Sequence, residues 1–146
     1  MFSVLPIVLC FMKNQPFIVV VDNDPDDCAF ISHSFAQVNN NCHIQFLSSG
    51  FELLDLLTML EPEEQPDLIV LDYNMPELNG KETVAQIKDN PFISHIPVLI
   101  YSTSVTAAMR KELASFKVLN CIEKSTSEDK LIEQARYFLE LVEACS

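Results

Sequence analysis

Basic residues are scarce in this chain. Its 146 residues carry nine Lys and Arg against 21 Asp and Glu, a formal net charge of -12 at pH 7. A nucleic-acid surface needs clustered Lys and Arg, so this balance argues against one. Long apolar runs are missing too. The longest, near the N-terminus, falls short of the ~20 residues that a membrane-spanning helix requires. There is no CxxC, and Cys10, Cys28, Cys42, Cys121 and Cys145 share no ligand-like spacing with His33, His43 or His95. An odd number of cysteines fits a disulfide framework badly, which leaves free thiols in a reducing cytoplasm. Repeats, low-complexity tracts and domain-length linkers are likewise absent. What remains is one domain, 49% hydrophobic and 21% charged, able to bury roughly 68–70% of its unfolded surface.

The first twelve residues, MFSVLPIVLCFM, are apolar and broken by Pro6. They lack a basic residue before Lys13 and an A-x-A cleavage pattern, the marks of a secretory signal. Met12 opens MKNQPF, a natural start for a soluble domain. Residues 1–13 are therefore read as an apolar extension and 14–146 as the domain.

Charge is unevenly spread. Through Gly80 there are 12 acids and one base; from Lys81 on there are nine acids and eight bases. Either the first half carries a solvated acidic face, or its acids converge on a cation. The spacing of the elements decides. Phe17 to Val21 is an apolar, β-branched run, as expected of a strand covered on both faces. Similar runs occur at 43–47, 67–71, 96–101 and 118–122. Between them lie helical patterns: from the Asp22–Asp27 cluster to a stop at Asn39-Asn40-Asn41, after Ser48-Ser49, over 81–89, over 105–116, and after a Ser125–Glu128 capping box. Five β units alternating with five α units predict a parallel sheet with helices on both faces.

Ligands of such sheets bind beyond the carboxyl ends of the strands. The first strand ends in Asp22 and the third in Asp72. The fourth ends in Ser102, and the fifth runs into Lys124. Asp22, Asn23 and Asp72 would meet at one rim, with hard oxygens suited to Mg²⁺. Ser102 and Lys124 would face them with a hydroxyl and an ammonium, the groups that hold phosphoryl oxygens. An Asp neutralised by such cations can serve as an oxygen nucleophile towards phosphorus.

The residues Val21-Asp-Asn-Asp-Pro-Asp-Asp27, Leu68 to Gly80 with its Asp-Tyr-Asn-Met-Pro core, Ile96 to Thr103, and Ile122-Glu-Lys124 carry a family resemblance. Over about residues 14–143 the chain resembles the receiver domain of two-component response regulators. The resemblance implies a flavodoxin-like (βα)5 fold, a doubly wound parallel five-stranded sheet of order 2-1-3-4-5. It makes Asp72 the phosphoacceptor from a partner's phosphohistidine. Asp22, position 23 and the Asn74 backbone carbonyl join Asp72 as the Mg²⁺ pocket. Ser102 becomes the hydroxyl that follows the phosphoryl group, and Lys124 its counter-ion. Implied partners are a sensor histidine kinase or phosphotransfer protein and a downstream protein. No output domain follows in this sequence, which fits a stand-alone, cytoplasmic, non-enzymatic receiver that docks or relays phosphate.

Three positions depart from the family pattern. Asn23 stands where Asp is usual, Cys121 where a switch Tyr or Phe is usual, and Ser125 where the family has a Pro after a cis bond. Three other readings compete. A receiver acting without phosphorylation is favoured by Asn23 and Cys121. A DxD-type phosphatase would use Asp22 as nucleophile, but Asp26 sits where that family wants Thr or Val. A flavin-binding flavodoxin would need a phosphate-cradling loop after the first strand, where Asp24 to Asp27 would repel phosphate.

Overall fold

The apolar run Phe17–Val21 forms strand β1, and its last four residues are fully buried. The computed structural model describes residues 15–38 and 41–145. The apolar extension over 1–13, Cys10 and the expected helix stop at residues 39 and 40 lie outside them. The further strands are β2 (His43–Leu47), β3 (Leu68–Leu71), β4 (Val98–Ser102) and β5 (Asn120–Glu123). The helices are α1 (Pro25–Val38), α2 (Gly50–Met59), α3 (Gly80–Asp89), α4 (Ala107–Ala114) and α5 (Glu128–Cys145). All strand pairs are parallel, in the order β2-β1-β3-β4-β5. The expected doubly wound topology is therefore present, and its order reverses between β1 and β3.

Side chains of a strand alternate between faces, so each strand feeds two cores. Val19, Val21, Ile69, Leu71, Val98 and Ile100 join Leu53 and Leu57 of α2, Val84 and Ile87 of α3 and Leu113 of α4. Ile18, Val20, Leu68, Val70, Leu99 and Tyr101 join Ile31 and Phe35 of α1 and Ala135, Phe138 and Val142 of α5. Phe138 anchors the second core. Its ring meets Tyr101 edge-on at 5.6 Å and lies 5.9 Å from that of Phe35.

Element ends differ from the sequence expectation for local reasons. β4 begins at Val98 because Pro97 has no N–H for the ladder; its carbonyl still accepts Ile69 N–H at 2.9 Å. Helix α4 spans less than 105–116. Thr106 caps it by accepting Met109 N–H, and Lys117 follows with φ 57°. The Ser125–Glu128 capping box does not form. Helix α5 starts at Glu128, so Ser125 lies too early to cap it and instead accepts Ser127 N–H at 3.1 Å. Among the described residues every peptide bond is trans, Lys124–Ser125 included.

The segment from Tyr73 to Gly80 closes on itself below the rim of the sheet. Gly80 N–H donates to the Tyr73 carbonyl at 2.8 Å, and Asn79 caps α3 in a capping box with Glu82. Within it, Glu77 has φ 69° while Leu78 N–H donates to the Pro76 carbonyl at 2.8 Å, a tight and strained three-residue turn. A Cβ on Gly80 would stand 2.7 Å from Tyr73 Cα and 2.8 Å from the Asp72 carbonyl oxygen. Both obstacles are backbone. Gly80→Ala should therefore destabilise the protein by about 1–3 kcal/mol, the usual cost of overfilling a packed site. Urea unfolding monitored by circular dichroism checks this; an unchanged midpoint would contradict the close approach.

Candidate functional site

Four of the five strands, β1, β3, β4 and β5, deliver one polar residue each at the carboxyl end, and backbone bonds fix its place. Asp22 N–H donates to the Leu47 carbonyl and Asp72 N–H to the Val21 carbonyl, both at 2.9 Å. The ladder thus runs one residue past β1 and β3 and holds the two carboxylates side by side. Ser102 ends β4, and Lys124 N–H donates to its carbonyl at 2.8 Å. Asp22, Asp72 and Ser102 are 3%, 5% and 0% exposed, so these polar groups sit at the lip of the core rather than in open solvent.

Lys124 is the centre of the cluster. Its Nζ lies 2.6 Å from Asp22 Oδ2, 2.8 Å from Asp27 Oδ2 and 3.4 Å from Asp72 Oδ2. Burial by itself would lower the Lys124 pKa. Hydrogen bonds to Asp22 and Asp27, together with the charge of Asp72, reverse this and hold it above its ordinary value. Asp72 behaves oppositely. Burial pushes its carboxyl from 3.8 up to about 6, against the pull of Lys124 and with the help of Asp22's negative charge. Cys28 stands beside them, its thiol directed to the Asp22 carbonyl at 3.6 Å. Burial and the neighbouring acids raise its pKa to about 11, so it stays a thiol.

The remaining candidates fall into two groups. Asn74 belongs to the site: its N–H donates to Asp72 Oδ1 at 3.3 Å and its Nδ2 to Ser102 Oγ at 3.4 Å. Asn23 is exposed at the rim. Asp24 is exposed too and is engaged locally, its Oδ1 accepting Asp26 N–H at 2.9 Å. The acids of the first half converge only in part, since Asp22, Asp27 and Asp72 gather round Lys124 while Asp24 and Asp26 face solvent. Cys121 is buried among residues packed by α2, α3 and α4. Cys28, Cys42, Cys121 and Cys145 are all free thiols.

Two participants were not singled out in the sequence. Asp27 reads there as an ordinary first-turn acid, favoured by the helix dipole. It lies in the first turn of α1, five residues after Asp22, a spacing that brings it near the rim without naming Lys124 as its partner. Tyr73 is the other. Its hydroxyl donates to Glu112 Oε2 of α4 at 3.1 Å, and Lys81 of α3 pairs with the same carboxylate.

The donor set suits a hard divalent cation. Among the described residues no three His, Cys, Asp or Glu side chains group as metal ligands. A cation here would therefore rest on the Asp22 and Asp72 carboxylates, the neutral oxygens of Asn74 and Asn23, and water. That is the coordination Mg²⁺ accepts. Three carboxylates against one ammonium also leave negative charge for such an ion to neutralise.

The raised Asp72 pKa makes stability depend on pH. The native state holds this proton more tightly than the unfolded chain, so its contribution is present below about pH 4 and is lost as pH rises through about 6. In metal-free buffer Asp72→Asn should raise the melting temperature above pH 6, and the difference should shrink towards pH 4. Melting curves across that range read it directly; a difference independent of pH would contradict the assignment.

Comparison with known proteins agrees with this geometry. The model of the response regulator receiver domain matches residues 18–136. Response regulator Rcp1 of Synechocystis is 46% identical over 96 residues, 63% of this chain and 65% of that protein. The phosphorylated cyanobacterial phytochrome response regulator RcpA superposes with a TM-score of 0.79 at 25% identity, covering 90% of this chain and 96% of that one. The Mn²⁺-bound form of Rcp1 superposes at 0.73 and 24% identity over 85% of this chain and 91% of that one. Other curated relatives are longer, and the matched region is 18%, 12% and 30% of three of them. The chain belongs to the response regulator receiver domains of two-component signalling.

Proposed function

We propose that this receiver domain accepts a phosphoryl group on Asp72 from the phosphohistidine of a sensor histidine kinase or phosphotransfer protein. It then signals in the cytoplasm by docking a downstream protein or by passing the phosphate on. The observation that carries the reading is the placement of Asp72. It is buried at the lip of the sheet within 3.4 Å of the Lys124 ammonium, with Asp22 and Asn74 beside it and Ser102 held by Asn74.

An Asp72 carboxylate oxygen would attack phosphorus in line with the phosphorus–nitrogen bond. As that bond breaks, its electron pair returns to the donor's imidazole. Lys124 would neutralise charge on the transferred oxygens, and Ser102 Oγ would leave Asn74 to donate to one of them. Mg²⁺, held by Asp22, Asp72, the Asn74 carbonyl and the Asn23 amide, would supply further neutralisation. The Mn²⁺-bound form of the response regulator Rcp1 supports divalent metal binding in the family. The low basic content argues against a nucleic-acid surface, and among the described residues no helix is long and apolar enough to cross a membrane.

A second reading, a receiver that docks partners without phosphorylation, is favoured by one specific feature. Lys124 lies closer to Asp22 and Asp27 than to Asp72. Incubation with acetyl phosphate and Mg²⁺ separates the two. Intact mass should rise by one phosphoryl group in wild type and stay unchanged in Asp72→Asn. Mass gained by Asp72→Asn but lost in Asp22→Asn would point to DxD-type chemistry instead. No gain in wild type would favour the phosphorylation-independent receiver.

Asn23 should make the metal site weak. Asn23→Asp adds a carboxylate at the rim and should tighten Mg²⁺ by roughly 10–100-fold, the size of effect seen even for residues that only support a ligand. Calorimetric titration of both proteins measures it. Equal affinities would remove position 23 from the metal site.

A further inference from the structure

We propose that Asp27 is a positioning residue that holds the Lys124 ammonium back from Asp72 in the resting state. Lys124 must then exchange Asp27 for a phosphoryl oxygen when Asp72 is loaded. The inference rests on Asp72 being the phosphoacceptor and adds a gate to that site.

Three features of the cluster carry it. The first is the order of the distances. Lys124 Nζ pairs with Asp22 at 2.6 Å, donates a hydrogen bond to Asp27 at 2.8 Å and stands off from Asp72 at 3.4 Å. The second is the difference in burial. The side chains of Asp22 and Asp72 are 2% and 6% exposed, whereas that of Asp27 is 28% exposed. A deeply buried carboxylate stripped of its cation pays the full cost of an unpaired charge. Asp27 alone can return to water when released. The third is its place on the chain. Asp27 lies in the first turn of α1, where the partial positive charge of the helix N-terminus stabilises a carboxylate without a partner.

A phosphoryl group on Asp72 carries about two negative charges where the carboxylate carried one. It outbids a single carboxylate for the ammonium at short range in a partly dry site. Asp22 would remain engaged with the divalent cation. Asp27 is thus the partner that lets go, and its hold on Lys124 sets how readily the phosphoryl state forms.

Beryllofluoride with Mg²⁺, which mimics a phosphoryl group on a carboxylate, tests the gate. Binding is followed by fluorine NMR on wild type, Asp27→Asn, Asp26→Asn and Asp72→Asn. Asp27→Asn should reach half-saturation at about tenfold lower beryllofluoride, equivalent to about 1.4 kcal/mol. Asp26→Asn removes the same charge from the same turn but no contact with Lys124, and should shift far less. Equal half-saturation in wild type and Asp27→Asn, weaker binding in Asp27→Asn, or an equal shift in Asp26→Asn would each overturn the gate alone. Binding to no protein, or binding that survives Asp72→Asn, would overturn the phosphoacceptor reading and the gate with it. A measurement on wild type needs no variant to fold. On adding beryllofluoride, the Asp27 carboxyl carbon and the Lys124 ammonium nitrogen should both shift in ¹³C and ¹⁵N spectra. A moving Lys124 signal with a still Asp27 signal would show that no exchange occurs.

Discussion

The ammonium of Lys124 is what lets three carboxylates share one rim. Without it, Asp22, Asp27 and Asp72 would stand in a half-dry site with only one another's charge for company. They are there for two structural reasons. Asp22 and Asp72 continue the ladders of adjacent strands, and Asp27 is brought round by the first turn of α1. The cation arrives from β5 at the far edge of the sheet, so it reaches the acids only if β3 and β4 lie between in the right order. The two cores enforce that order, since their strands supply alternate side chains to helices on opposite faces. The chemistry at the top of the sheet and the burial beneath it are therefore one problem with one solution.

The sequence made the architecture legible because buried parallel strands have little choice of residue. Continuous runs such as Phe17–Val21 and Leu68–Leu71 have no polar face, and the polar residue that ends each run marks the rim. Asp22, Asp72, Ser102 and Lys124 could be placed in this way. Element ends were harder to read, because single hydrogen bonds decide them. Ser125 looks like a cap by its spacing to Glu128, yet its hydroxyl takes the nearer Ser127 N–H and the helix starts later. Asp27 was hidden for a related reason. Its role depends on the direction of α1 relative to β5, and no local pattern states that direction. The Tyr73–Glu112 contact joins residues 39 positions apart, beyond the reach of any periodicity argument.

The departures at positions 23 and 121 act at different depths. Asn23 is exposed, so an amide there in place of a carboxylate lowers the negative charge of the rim without disturbing what lies beneath. Cys121 is buried in the core packed by α2, α3 and α4, where a thiol fills far less volume than a ring. Bonded contacts join the rim to its surroundings. Ser102 is linked to Asn74, Val105 N–H donates to Glu123 Oε1, and Tyr73 connects to α4 through Glu112. These links run from the ends of β3, β4 and β5 towards a single helix.

The strained turn at Glu77 bears on how this stretch of chain can vary in length. Met75 and Leu78, on either side of the bend, are both only 7% exposed, and Gly80 then closes against Tyr73. Two apolar anchors and a backbone contact therefore fix the chain at both ends of a turn that already sits in an unfavourable conformation. An inserted or deleted residue between Asp72 and Gly80 would pull an anchor from the core or drive α3 into Tyr73. Most surface loops absorb such indels at little cost. This one works as a ruler, and chains sharing its rim should share its count.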